Sequence, residues 1–254
     1  MGCEGCRRGD GLDFDFTMAF QPIVDLNSGG TYAYEALVRG PSEEPAPEIL
    51  SRVTPTNLYV FDQRCRVKAI EVAARAGILA TDARLSINFL PNAVYSPQAC
   101  IQLTLKTAAA AQFPTSRLIF EFTENEQIVD PDHLANIVAT YRRMGFGTAL
   151  DDFGAGHAGL ALLARFQTDT VKLDRELIRG IDGSLSRRLI VEALVRMCQG
   201  LGIRIVAEGV ETEEELATLK ALGIGFAPGF LFARPAFERL PNAIIPPSAA
   251  AIAA

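Results

Sequence analysis

The chain has 254 residues, 49% of them apolar, with a formal net charge of −6. That length suits one α/β barrel of roughly 250 residues with a sizeable buried core. The acidic balance excludes sequence-blind binding to a DNA or RNA backbone, and no apolar run reaches the ~18 residues that a membrane span requires.

The N-terminus, Met-Gly-Cys-Glu-Gly-Cys-Arg-Arg, is polar and has no secretory core. Five cysteines, an odd number, do not read as a disulfide framework, so a reduced, cytoplasmic protein is expected. In chain order, residues 1–13 read as an N-terminal extension. Phe14 to Leu26 and Thr31 to Val38 are β-rich runs around Asn27-Ser28-Gly29-Gly30, a hairpin turn. Thr54-Pro55 predicts a helix start, with the helix running to about Gly77. Strands are then expected at Arg84–Phe89, Arg117–Thr123, Gly147–Asp151, Thr170–Leu173, Arg204–Glu208 and Ile224–Phe226. Helices are expected at Pro97–Ala111, from Asp130-Pro131 to Gly145, over Ser184–Leu201, and after Thr212-Glu213-Glu214-Glu215, which has the form of a capping box. The tail from position 241, Ala-rich after Pro246-Pro247, lacks periodicity and is expected to be disordered.

Alternating strands and helices imply a parallel sheet covered by helices, and about eight such units favour a closed (β/α)8 barrel over an open sheet. The opening hairpin would make one strand near the N-terminus antiparallel to the rest.

Acidic or amide side chains recur at strand ends: Glu35, Asn88, Glu121, Asp151 with Asp152, and Glu208. In a parallel barrel these ends converge on one rim, where so many oxygen donors would repel one another without cations between them. All-oxygen ligands select Mg²⁺ or Mn²⁺ over zinc. Asp151-Asp152 suits two ions, one carboxylate bridging while its neighbour serves the second, and two ions form the usual clamp for in-line displacement at phosphorus. Lys172, at the end of Thr170-Val171-Lys172-Leu173, is placed to hold an attacking water or to offset charge on phosphoryl oxygens. Each of these residues taken alone is as well explained by a solvated loop; their joint placement is what argues for a site.

The same positions carry a resemblance. Glu35-Ala36-Leu37 followed by Val38-Arg39-Gly40 resembles the signature of EAL domains, preceded by Phe20-Gln21-Pro22-Ile23. Ile87-Asn88-Phe89, Glu121-Phe122-Thr123-Glu124, Asp151-Asp152-Phe153-Gly154-Ala155-Gly156, Val171-Lys172-Leu173-Asp174 and Ala207-Glu208-Gly209-Val210-Glu211 follow in that family's order. The match runs from about Phe14 to Pro235, and the barrel domain is accordingly bounded at 14–240. Any one motif is weak, but their order is specific.

The resemblance implies a phosphodiesterase that opens cyclic di-GMP to linear pGpG with two Mg²⁺ or Mn²⁺ ions, as a homodimer. Glu35, Asn88, Glu121 and Asp151 would ligate one ion; Asp151, Asp152 and Glu208 would hold the other. Lys172, with Glu35 and Glu208, would carry catalysis. Gln21, Leu37, Arg39, Asp174, Glu211 and Pro235 would contact or support the substrate. Glu124 would brace the segment Phe153 to His157. One departure stands out: Ala227-Pro228-Gly229-Phe230-Leu231-Phe232 has Pro228 where the family usually carries glutamine, and proline offers neither a side-chain amide nor an N–H. A receptor that binds cyclic di-GMP without cleaving it is therefore the principal rival to the enzyme, although no metal-ligating residue is lost. A partner-binding scaffold and an unrelated metal-dependent barrel enzyme are weaker rivals.

The remaining candidates have plainer readings. Cys3 and Cys6 are half a zinc site and read as ordinary thiols. Cys65, Cys100 and Cys198 read as small buried residues. His157 reads as a surface or interface residue, and His133 as a first-turn helix residue.

Overall fold

A computed structural model describes residues 12–124, 130–156 and 159–246. Strand β1 (Thr17–Asp25) returns through a tight turn into β2 (Thr31–Arg39), pairing antiparallel with Gln21 opposite Glu35. Asp25 holds the turn by accepting from the Asn27 N–H (2.9 Å) and the Ser28 hydroxyl (2.9 Å). Strands β3 (Arg84–Asn88), β4 (Leu118–Thr123), β5 (Gly147–Phe153), β6 (Thr170–Leu173), β7 (Arg204–Ala207) and β8 (Phe226–Pro228) then follow in sequence order, each parallel to the one before. Pairing of β8 with β1 closes an eight-stranded barrel in which β1 alone runs antiparallel to its neighbours. A two-residue strand, β9 (Ala236–Phe237), occupies the rest of the β1 edge beside β8. The expected barrel, with its single reversed strand, is the observed fold.

The connecting helices are α1 (Ala46–Leu50), α2 (Leu58–Arg75), α3 (Pro97–Cys100), α4 (Gln102–Ala110), α5 (Pro131–Arg143), α6 (Gly159–Arg165), α7 (Arg175–Ile178), α8 (Leu185–Leu201) and α9 (Glu213–Ala221). Several boundaries differ from the sequence expectation. Thr54 is not a helix cap: Thr54 to Asn57 form a turn in which the Thr54 N–H donates to the Asn57 side chain (2.7 Å), and α2 begins after it. The segment Pro97–Ala111 divides at Ile101 into α3 and α4. The last barrel strand lies two residues later than expected and includes Pro228. The capping box is present as read, with Thr212 and Glu215 bonded reciprocally (3.1 and 3.2 Å). Glu215 is more than a favourable charge at a helix start, since its buried carboxylate also accepts from the Gly180 N–H (2.9 Å) and fixes the loop before α8. Cys100 and Cys198 are buried as expected, whereas Cys65 is half-buried. Residues 241–246, assigned by sequence to the tail, lie against the barrel: Tyr34 donates to the Pro241 carbonyl (3.2 Å) and the Ile244 N–H to Phe232 (3.0 Å). Cys3, Cys6 and His157 lie outside the described residues.

Among the described residues, no helix is long and apolar enough to cross a membrane. The main core lies between the strands and the helices. It contains a polar element: Arg66 and Asp62 on α2 are fully buried and pair with each other. Arg66 also donates to the Tyr141 hydroxyl on α5 (3.4 Å), and Asp62 accepts from the Leu90 N–H after β3 (3.0 Å). The pair thus ties α2 to α5 and to the segment that follows Asn88. Removing one partner strands a buried charge, so Arg66→Ala is expected to lower stability by about 3–5 kcal/mol in urea unfolding. Replacing both partners with apolar residues of similar size is expected to recover most of that loss. Equal losses in the single and double variants would refute this account.

Candidate metal centre and active site

Side chains on a strand alternate between faces, so residues two apart share a face. A small apolar cluster built from Ile23, Ala33, Ile119, Ala149 and Val206, with Tyr32 and Phe226 packed on it, draws on strands alone and fills the barrel interior. Two positions further along each parallel strand stand Glu35 after Ala33, Glu121 after Ile119, Asp151 after Ala149, Glu208 after Val206 and Pro228 after Phe226. On β3 and β6 the same step leads from buried Ser86 to Asn88 and from buried Thr170 to Lys172. On reversed β1 the step runs backwards, from Ile23 to Gln21, which pairs with Glu35. One residue on each of the eight strands, or for Glu208 directly after β7, therefore forms a single layer at the C-terminal rim, and all but Pro228 are polar.

At the centre of this layer stands Lys172, 1% exposed. Its Nζ lies 2.8 Å from Glu208, 3.0 Å from Glu121, 3.1 Å from Asp151 and 3.2 Å from Glu35. Burial alone would lower the lysine pKa, but the surrounding carboxylates prevail and hold it well above its usual value. The same crowding acts in reverse on the acids. Burial, with Glu35 and Asp151 adding repulsion and Lys172 opposing, pushes Glu121 up to about 8. Glu208 is also raised well above the carboxylate range, burial again being the main cause. Asn88 donates to Glu35 (3.3 Å), and the buried Ser86 hydroxyl donates to Glu121.

Two three-carboxylate groups result, Glu35–Glu121–Asp151 and Asp151–Asp152–Glu208, each with oxygens within 4.8 Å of one another and with Asp151 common to both. Asp152 reaches the second group because its backbone is left-handed (φ 54°), breaking the alternation of β5 where its pairing with β6 is irregular. Buried carboxylates in excess of one ammonium, with oxygen donors only, fit hard divalent cations.

Glu124 follows β4 and accepts from the Gly154 N–H (2.8 Å) and the Gly159 N–H (2.7 Å), gripping both ends of the segment after Asp152. Gly154 has φ 99°, and a Cβ there would lie 2.6 Å from Leu177; a Cβ on Gly159 would lie 2.7 Å from Phe153. Leu37 and Arg39 continue the Glu35 face beyond the rim, Leu37 beside a cavity of about 300 Å³ that Asn88 and Thr123 also line. Burial lowers the Arg39 pKa, and its guanidinium donates to the Val38 carbonyl (2.7 Å). Gln21 donates to the Ala233 carbonyl (2.9 Å), tethering the segment that leads to Pro235, while its own carbonyl oxygen is buried without a partner among the described residues. Asp174 caps α7 through the Glu176 N–H (2.8 Å), and exposed Glu211 pairs with Arg175 (2.7 Å). His133, in the first turn of α5, contacts the Val94 carbonyl. Ser86 is the site residue that sequence reasoning missed; a lone hydroxyl in Leu85-Ser86-Ile87, in step with Asn88, was its signal.

A profile of the EAL domain matches residues 12–235. The chain belongs to the EAL domain family. Its EAL fold superposes on a standalone EAL protein from Vibrio cholerae in its c-di-GMP-bound form with a TM-score of 0.88 at 50% identity, covering 92% of this chain and 98% of that one. It likewise matches Klebsiella pneumoniae BlrP1 in a calcium and cyclic di-GMP complex (TM-score 0.84, 35% identity, 90% of this chain and 57% of that one). Among curated proteins it is 33% identical over 224 residues to the Escherichia coli blue light- and temperature-regulated antirepressor BluF, covering 88% of this chain and 55% of BluF. It is 30% identical over 240 residues to the Pseudomonas aeruginosa cyclic di-GMP phosphodiesterase RocR, covering 90% of this chain and 60% of RocR. The chain thus spans little more than half the length of these curated relatives.

Mn²⁺ titrated into chelator-treated protein is expected to bind and to raise the melting temperature. Asp151→Asn, at the residue common to both carboxylate groups, is expected to weaken binding by at least about 10–100-fold, the loss typical of an outer-shell change alone. Asp152→Asn should cost less. Equal affinity in wild type and Asp151→Asn by calorimetry would contradict this assignment.

Proposed function

We propose that this chain hydrolyses cyclic di-GMP to linear pGpG, using two divalent cations, Mg²⁺ or Mn²⁺, at the acidic rim. The observation that carries this reading is the pair of carboxylate groups sharing Asp151 around buried Lys172. With all five carboxylates ionised, they carry, less one ammonium, four negative charges, which two divalent cations would balance. Glu35, Asn88, Glu121 and Asp151 would hold one cation, and Asp151, Asp152 and Glu208 the other. Bound there, the cations supply Lewis-acid charge for an in-line displacement at phosphorus.

The remaining work falls to the chain's own residues. Lys172 donates to the attacking water or to a phosphoryl oxygen. Glu208, the most exposed of the four carboxylates around Lys172 at 19%, receives the water's proton, and Glu35 holds the opposite side of the ammonium. Gln21 offers its unpartnered oxygen to a guanine N–H, and Arg39 its remaining donors to a phosphate. Leu37 and Pro235 supply apolar walls for a base. Asp174, while capping α7, and Glu211, while paired with Arg175, would contact or support the substrate. Glu124 keeps the segment after Asp152 in place. The domain takes in residues 14–240, with 241–246 packed against it. A homodimer belongs to this reading, with Leu185, Leu189 and Ile190 standing exposed on α8 as surface that a second copy would cover; a sedimentation mass of one chain would refute it.

A second reading is a receptor that binds cyclic di-GMP and turns it over weakly or not at all. Pro228 favours it, because the eighth rim position carries no polar group, and the relative BluF is named an antirepressor. Incubation with cyclic di-GMP and Mn²⁺, followed by chromatography, separates the two. The enzyme yields pGpG, with Lys172→Ala slower by about 10²–10³-fold and no product in Glu35→Ala or with chelator. Binding without product, with turnover gained in Pro228→Gln, would establish the receptor. Neither binding nor cleavage would refute both.

A further inference from the structure

The barrel axis carries a second polar layer at its opposite end. Arg84 opens β3 and Arg204 opens β7, each two residues before an interior position (Ser86 and Val206), so both start on the interior face at the N-terminal mouth. Their guanidinium carbons lie 5.1 and 4.9 Å from the centre of the Tyr32 ring, and Arg204 also lies 5.3 Å from that of Phe226. Arg84 donates to the Tyr32 hydroxyl (2.6 Å). Among the described residues, neither guanidinium has a carboxylate within 4.0 Å.

The two arginines line a cavity of about 340 Å³, opened by the absence of side chains at Gly145, Gly147 and Gly202. The carboxylate that shares the cavity, Asp169, is already engaged: it pairs with Arg142 (3.2 Å) and accepts from the Thr148 N–H and hydroxyl (2.9 and 2.8 Å). Two fixed cations therefore face a polar concavity in a chain whose net charge is negative.

We propose that this N-terminal mouth binds a small phosphate monoester. Guanidinium forks match phosphate oxygens in pairs, and two of them balance a dianion. Tyr32 and Phe226 hold the forks without neutralising them, since a cation on an aromatic face keeps its N–H donors. The cavity is larger than a phosphate group and leaves room for an organic substituent. This site is separate from the acidic rim and does not depend on hydrolysis there.

The experiment uses metal-free wild-type protein in chelator, so that the rim cannot capture phosphate through a cation. Inorganic phosphate, GMP and, as uncharged control, guanosine are titrated by calorimetry. Saturable binding of GMP and of phosphate, with none of guanosine, is expected. Arg84→Met and Arg204→Met should each weaken it by about tenfold or more, the loss expected for a charged hydrogen-bond partner, while leaving the Mn²⁺ titration unchanged. Should these variants fail to fold, GMP is expected to protect Arg84 and Arg204 of the wild type from phenylglyoxal, read by peptide mass. No binding of either phosphate compound at millimolar concentration would overturn the proposal. So would binding that both variants retain, or modification of both arginines at an unchanged rate.

Discussion

Everything at the C-terminal rim depends on one arrangement: a lysine ammonium, cut off from water, within 3.2 Å of four carboxylates. Each member would be costly to bury alone. Together they are held by the strands, because each side chain springs from a β-strand, or for Glu208 from the residue just after one, whose position is fixed by hydrogen bonds on both sides. The rigidity of the closed sheet is what keeps like charges close together, and the resulting excess of negative charge is what gives the rim its affinity for cations.

The same alternation that builds the rim also layers the barrel along its axis. Acidic and amide groups stand at the C-terminal end, a small apolar cluster fills the middle, and two arginines stacked on aromatic rings close the N-terminal end. The apolar layer separates the two charged ends. Pro228 acquires its meaning in this layering: it occupies the place of β8 in the rim, between Gln21 on β1 and Glu208 just after β7, so the glutamine that the resemblance implies would have stood in the ring itself.

Around this frame, polar side chains fix the backbone where strands give way to loops. Glu124 grips the segment after Asp152 at both of its ends. Glu215 gathers amides from its own helix start and from the loop before α8. Asp62, paired with Arg66, holds the chain just past Asn88. Each substitutes a carboxylate for water at buried N–H groups that the sheet leaves unpaired.

The barrel and most of the rim were legible in the sequence, since both follow from local rules. Short apolar strands alternating with helices specify a parallel barrel, and strand-end Glu35, Asn88, Glu121, Asp151 and Glu208 then have one rim to share. Short elements were not legible: α1, α6, α7 and β9 are too brief to show a period, and the turn at Thr54-Pro55 imitates a helix cap. Closure of the barrel alone decided the rest. Lys172 meets Glu35, 137 residues away, only because β2 and β6 face each other across the interior. Asp174 and Glu211, close to rim residues in sequence, also serve a helix cap and a surface ion pair that the sequence did not show. Arg84 and Arg204 look like scattered surface charges in the chain; they converge because two strands beginning at the same end of a barrel must bring their first interior residues together.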